Sequence, residues 1–338
     1  MQTRDESLDA IKYILIASVI FGHCLGRYCE SPLSQGVYNF VNLYHMPLFI
    51  FLSGYFSKQY DLKKREERSH FLLSQVKLLE TYVIFCCVHQ LIVYHSIDVY
   101  FMMKFPSWSL WYLLSLFSWR MFVQLIPQKF AGSMGIIPLS FVVGLLVGLA
   151  PVDGFLSVQR TFTYLGFFMS GFVLSKGNFV LRIRLIPRSV PVFLLCLLFL
   201  CCVLFLNFDV HKIIWGFHSY RHSGYEWSSA MAFRACFYVA AMFIGIPILS
   251  LVRDKVVVLS KYGRKTLFFY VYHTLLLYGV FAMVEKFDMP TELPFVLLYT
   301  TCVILLLHLG TFVGALSFLI NPISGIIQKR LPLKKSRE

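Results

Sequence analysis

Apolar runs of membrane-crossing length recur along almost the whole chain, and this restricts the fold more than any single motif does. A crossing helix needs about 20 residues to span about 30 Å of hydrocarbon. That ruler marks ten segments in the 338 residues, near 10–28, 38–56, 71–95, 108–126, 134–150, 162–175, 190–207, 229–252, 266–284 and 294–320. The runs are long and do not alternate with polar residues, which excludes a β-barrel. The predicted fold class is all-α: a polytopic integral membrane protein of about ten transmembrane helices. It forms one membrane domain over 1–338, ending in a basic tail at 321–338. The sixth segment is short and polar enough to be expected partly buried among the others.

Charge supports this reading by its placement. Only 14% of residues are charged, against roughly 25% in soluble domains. The formal charge of +14 could suggest nucleic acid, but nearly every Lys and Arg lies between apolar runs or in the tail. Twenty-one basic residues fall in the N-terminus, 57–70, 127–133, 176–189, 253–265 and the tail, and six in the alternate loops. The lipid bilayer, and not nucleic acid, is the expected partner. The asymmetry predicts both termini in the cytoplasm of a cell whose plasma (inner) membrane holds the protein. The N-terminal run has an acidic leader and no small-x-small cleavage site, so it is expected to stay as a helix. The nine cysteines form no CxxC pair, and most lie inside apolar runs. They read as small buried apolar residues, with Cys24 and Cys29 left open as a pair.

Chemistry concentrates in the first hairpin, IKYILIASVIFGHCLG followed by YNFVNLYHMPLFIFLSGYF. Each run carries a histidine, His23 and His45, and a charged side chain in hydrocarbon costs about 2.5 kcal/mol or more. Lys12 and His23 are eleven residues apart. On a helix they share a face to within about 20° and lie about 16 Å apart along the axis. A cation at the cytosolic end and an imidazole deeper on the same stripe suit a path for a charged cosubstrate. A snorkelling Lys and a hydrogen-bonded core His would give the same spacing. Both histidines lie about 10 Å from the outer ends of their helices, so an antiparallel hairpin sets them at similar depth. Pro47 crowds the Leu43 carbonyl and predicts a local break in the second helix. Ser53 and Gly54 permit close helix packing.

LDAIKYILIASVIFGH and YHMPLFIFLSGYF resemble the acyltransferase 3 family of integral membrane acyltransferases, and most of all its branch related to fucose 4-O-acetylases. The family's Arg or Lys, ten residues, then His corresponds to Lys12 and His23. Its Arg-x-x-Arg corresponds to Arg65-Glu66-Glu67-Arg68. SLWYLLSL (109–116) resembles its Trp-aromatic-Leu segment, and SKYGRKTLFFYVYH (260–273) its late Tyr-x-x-His segment, with Thr266 in place of Ser. The resemblance implies an O-acyltransferase with cytosolic acetyl-CoA as donor and a carbohydrate hydroxyl as acceptor. A general base contributes about 10²–10⁴-fold to such a transfer, and an imidazole out of water favours the neutral form that accepts a proton. His23 is then the expected base. His45 would position it or contact the thioester or the acceptor. Direct transfer and an acyl-enzyme route are both open. Arg65 and Arg68 become candidates for the CoA phosphates together with Lys12, and Arg264 and Lys265 weaker ones.

Elsewhere the signals are softer. The outer loop DVHKIIWGFHSYRHSGYEWSS (208–228) offers Trp215, Tyr220 and Trp227 to stack on sugar faces and Arg221 and His222 to bond hydroxyls. An interfacial aromatic belt explains the same residues. Arg234, just inside the eighth segment, could meet an anionic acceptor. The ruler places His273 and His308 level with each other and below His23. His211, His218 and His222 lack metal-site spacing, so no metal is expected. A transporter using the intramembrane histidines as a proton relay is the competing class. It predicts a matching hairpin in the second half, and none is found.

Overall fold

The protein is described by a computed structural model covering residues 5–152, 154–206, 214–253, 257–322 and 326. Among these residues the secondary structure is helical throughout, with no strand. The longer helices are α1 (Glu6–Arg27), α2 (Pro32–Tyr55), α3 (Arg65–Tyr94), α4 (Trp111–Leu125), α5 (Ile136–Leu146), α6 (Leu165–Leu174), α7 (Ser189–Phe205), α8 (Trp227–Leu251), α9 (Thr266–Lys286) and α10 (Leu293–Gly310). Five of them, α1, α3, α8, α9 and α10, are long and apolar enough to cross a bilayer by themselves. The protein is thus a polytopic helical membrane protein. Length does not disqualify α2, at 24 residues; its polar residues do. Asn39, Asn42 and His45 are buried against neighbouring helices, so α2 gives its polar groups to the interior.

Local chemistry sets the helix ends. Asp5 caps α1 by accepting the Ser7 amide at 3.0 Å. Ser31 and Ser34 form a capping box at the start of α2, with Pro32 in the first turn, where its missing N–H costs nothing. The expected break at Pro47 is absent: α2 is continuous through it. One lost backbone bond is tolerated when neighbouring helices enclose the site. The predicted sixth segment is instead interrupted. A short helix, Val158–Thr163, is separated from α6 at Tyr164. The expected tenth segment also stops early, at Gly310, and a separate turn of helix follows at Gly314–Leu319.

Helix packing in lipid relies on van der Waals fit and close backbone approach. One such close crossing joins α2 to α6. A Cβ at Gly54 would run into the Phe168 carbonyl oxygen, and one at Gly171 into the Phe51 carbonyl oxygen. The contact is reciprocal, so neither glycine has an acceptable larger replacement. On its other side α1 packs along the short helix Val257–Gly263, against α2 and against α10.

The cysteines need a correction. Cys24, Cys86 and Cys202 are buried, but Cys196, Cys201, Cys236 and Cys302 are exposed on helix surfaces. In a membrane protein the lipid-facing surface is as apolar as the core, so an apolar run does not predict burial. Cys24 and Cys29 are not joined in a disulfide: Cys29 Sγ donates to Gln35 and Cys24 Sγ to the Val296 carbonyl.

Candidate active site

A cavity of about 890 Å³ opens among the C-terminal halves of α1 and α9, the N-terminal part of α2, α3, the 105–111 segment and the 158–164 and 215–217 stretches. His23 and His45 both line it. The His45 ring passes over Gly22, with Cε1 3.8 Å from where a Cβ would stand. The bare backbone there lets the second imidazole reach the wall that carries the first.

Hydrogen bonding settles which nitrogen of His45 carries its proton. Nδ1 lies 2.7 Å from the Val41 carbonyl. A carbonyl only accepts, so Nδ1 donates and Nε2 of the neutral ring keeps its lone pair. His273 is arranged in the same way, with Nδ1 2.7 Å from the Tyr270 carbonyl and Nε2 buried without a partner. Its ring stacks on His23 at 5.5 Å and 24°. On another side the Trp108 ring meets His23 edge-on at 5.0 Å. Among the described residues the His23 ring makes no protein hydrogen bond. It is held by ring faces alone, with its nitrogens left for a ligand.

The walls store backbone strain. Trp108 sits at φ 37°, and Leu156 and Ser157, just ahead of Arg160, at 45° and 53°. Side chains there cost about 1–3 kcal/mol each. Both strained stretches present a cavity side chain, Trp108 in one and Arg160 in the other. The Arg160 guanidinium lies over the Trp111 ring at 5.1 Å and over the Phe217 ring at 4.8 Å. Each such contact contributes about 0.5–1 kcal/mol, and about 2 when desolvated. The helix that carries Arg160 is braced on α4: Thr161 Oγ1 is 2.7 Å from Ser115 Oγ, and Trp119 Nε1 donates to the Thr161 carbonyl at 2.7 Å.

The other expected site residues divide sharply. Trp215 lines the cavity, its Nε1 3.4 Å from Asn42 Oδ1. Tyr220 and Arg234 do not line it. They pack on each other, the guanidinium 4.5 Å from the ring centroid. Tyr220 donates to the Leu145 carbonyl at 2.7 Å and Arg234 to the Gly144 carbonyl at 3.3 Å. That pair ties the loop and α8 to α5. Arg221, His222 and Trp227 are exposed away from the cavity, with His222 stacked on His218 at 4.4 Å. His211 lies outside the described residues. Among the described residues no group of three or more His, Cys, Asp or Glu is placed to hold a metal ion.

None of Lys12, Arg65, Arg68, Arg264 and Lys265 lines the cavity. Lys12 Nζ sits 2.6 Å from Asp9 Oδ1 and 4.6 Å from the Phe56 ring. Arg65, Arg68 and Arg264 are exposed, and Lys265 lies 6.0 Å from the Phe312 ring. Between Lys12 and His23, Ile16 and Ile20 are fully buried, so the lower part of the stripe is packed shut. His308 belongs to this packed part, its Nε2 accepting from the Tyr13 hydroxyl at 3.0 Å. His273 does not share its level as expected, but stands beside His23. The depth ruler assumed that all helices start in one plane. The Val257–Gly263 helix, packed along α1 with Gly263 against the Asp9 backbone, displaces the start of α9.

Arg160 and His89, both lining the cavity, escaped the sequence reading. Arg160 was counted as a loop cation. His89, 4% exposed, has both ring nitrogens unpartnered and meets Tyr278 edge-on at 5.0 Å. Its signal was the one that flagged His23, an ionisable residue inside an apolar run. Tyr270, the Tyr of the Tyr-x-x-His segment, lines the cavity as well, its hydroxyl donating to the Ser109 carbonyl.

A family model described as an acyltransferase domain matches residues 5–309. No curated protein matches the chain, and no solved structure does.

Proposed function

The chain belongs to the acyltransferase 3 family, a membrane acyltransferase family, and from that premise we propose that it is an O-acetyltransferase. It takes the acetyl group of cytosolic acetyl-CoA and places it on a hydroxyl of a carbohydrate, a surface polysaccharide or a lipid-linked sugar. In this reading the ten helices cross the inner membrane, both termini face the cytoplasm, and the branch is that of the fucose 4-O-acetylases. The observation that carries the proposal is the cavity itself. Of the three imidazoles among the described residues that line it, His23 is held only by ring contacts and His45 has its donor nitrogen tied to backbone.

His23 accepts the proton of the acceptor hydroxyl as that oxygen attacks the thioester carbonyl. The C–O bond forms, the C–S bond breaks, and the proton passes to the departing CoA thiolate. His45, through Nε2, orients the acceptor or the carbonyl. Arg65, Arg68, Arg264 and Lys265, with Lys12, meet the CoA phosphates at the cytoplasmic end. The packed stretch between Lys12 and His23 has to part for the thioester to arrive, so donor binding and opening are one event.

Purified protein in detergent is expected to release free thiol from acetyl-CoA only when a sugar acceptor is present. His23→Ala should lower that rate at least about 100-fold while the variant inserts and purifies normally. Full activity in that variant would exclude His23 as the base.

A further inference from the structure

We infer that Arg160 forms a subsite for an anionic substituent on the acceptor sugar, a carboxylate or a phosphate next to the hydroxyl that is acylated. This rests on the acetyl-transfer reading for the word acceptor, but not for the binding itself.

The argument begins with charge. Among the described lining residues the acid is Glu285, and Arg27 already pairs with it. Arg160 is therefore a cation without a counter-charge inside the cavity. Among the described residues no protein group accepts from its guanidinium. The guanidinium carbon lies over the Trp111 and Phe217 rings, and a ring face accepts no conventional hydrogen bond, so its N–H groups remain to be offered to a ligand. The planar guanidinium fork matches two oxygens of a carboxylate or phosphate. The backbone that carries Arg160 is held by the bonds from Thr161 to Ser115 and Trp119. The rest of the wall suits a sugar ring. Trp108, Trp215 and Tyr278 offer flat apolar faces, and His89 offers two unpartnered ring nitrogens.

The test uses the full-length protein in detergent and reads quenching of tryptophan fluorescence, since Trp108, Trp111 and Trp215 line the cavity. The probes are methyl glucoside, methyl glucuronide and methyl glucoside 6-phosphate, without acetyl-CoA. At least one anionic probe should bind about tenfold or more tighter than the neutral one, and which one does so identifies the anion. Arg160→Gln should remove the preference, and Arg160→Lys should keep part of it. Added salt should weaken only the anionic probe with the unmodified protein. Equal affinities, no binding of any probe, or a preference that survives Arg160→Gln would overturn the inference. A loss of turnover in Arg160→Gln on neutral and anionic acceptors alike, with no change in the binding preference, would also overturn it and place the cation on the acyl oxyanion. Protein that discriminates the probes yet releases no thiol from acetyl-CoA would refute acetyl transfer and leave the subsite standing.

Discussion

In the N-terminal half of α1, polar groups are satisfied by protein. Asp5 accepts from Ser7 and from Arg184 at 2.9 Å, Lys12 meets Asp9, and Tyr13 donates to His308. Around its C-terminal half, Nε2 of His273 and both ring nitrogens of His89 have no partner, His23 is held by aromatic faces, and Trp108 carries a left-handed backbone. One helix thus passes from a region built for stability to a region that gives up stability to keep groups available. An unsatisfied buried polar group costs about 1–3 kcal/mol, and a fold keeps several together only where a ligand completes them. The contrast locates the chemistry better than burial or hydropathy does.

Paired variants can break this contrast. The largest effect should come from the two histidines that bond alike to their own helix. His45→Ala should reduce turnover about 100-fold with little loss of thermal stability, because it enlarges an existing cavity. His308→Ala should leave turnover near normal but cost about 1 kcal/mol through the lost Tyr13 contact. Thiol release and melting temperature, measured on both, check this; the reverse pattern would erase the distinction. Next comes Lys12. Lys12→Met removes the cation beside Asp9, which is 1% exposed, and breaking a buried pair costs about 3–5 kcal/mol. Adding Asp9→Asn should restore most of the melting temperature. If Lys12 also meets CoA, the restored double variant should still show a raised apparent KM for acetyl-CoA, and an unchanged KM would leave Lys12 a purely structural cation.

The smallest expected effect is at Asp5, outside the apolar segment. Partial burial pushes its carboxyl up, but hydrogen bonds from Ser7 and Arg184 outweigh this and hold it below its ordinary value. A lowered carboxylate stabilises the fold fully above its unfolded value and loses that contribution as pH falls through the folded value. The site is partly exposed, so the contribution is about 1 kcal/mol or less. Melting temperature should fall more steeply between pH 5 and pH 3 in the unmodified protein than in Asp5→Asn; parallel curves would remove Asp5 from the account.

Much of this was legible in the residues. An ionisable side chain in an apolar run is costly whatever the fold, so His23 and His45 stood out, and antiparallel pairing set them at one depth. Gly54 was readable as a close-packing position, although its partner Gly171 was not. Arg160 was missed because a cation beside an apolar run satisfies the topology rule, and nothing local tells a loop arginine from one turned inward between two distant rings. Tyr220 and Arg234 misled for the converse reason. Their types suit a sugar or an anion equally well, and only tertiary contact shows that each has the other. His273 was misplaced because helix offsets come from packing and not from length.

The Gly54–Gly171 crossing has a mechanical consequence. It welds the helix bearing His45 to the segment that continues from Arg160, with main chain touching main chain and no side chain between to slide or flex. Any displacement of α2 therefore has to carry α6 with it, because the crossing leaves no side chain that could adjust between them.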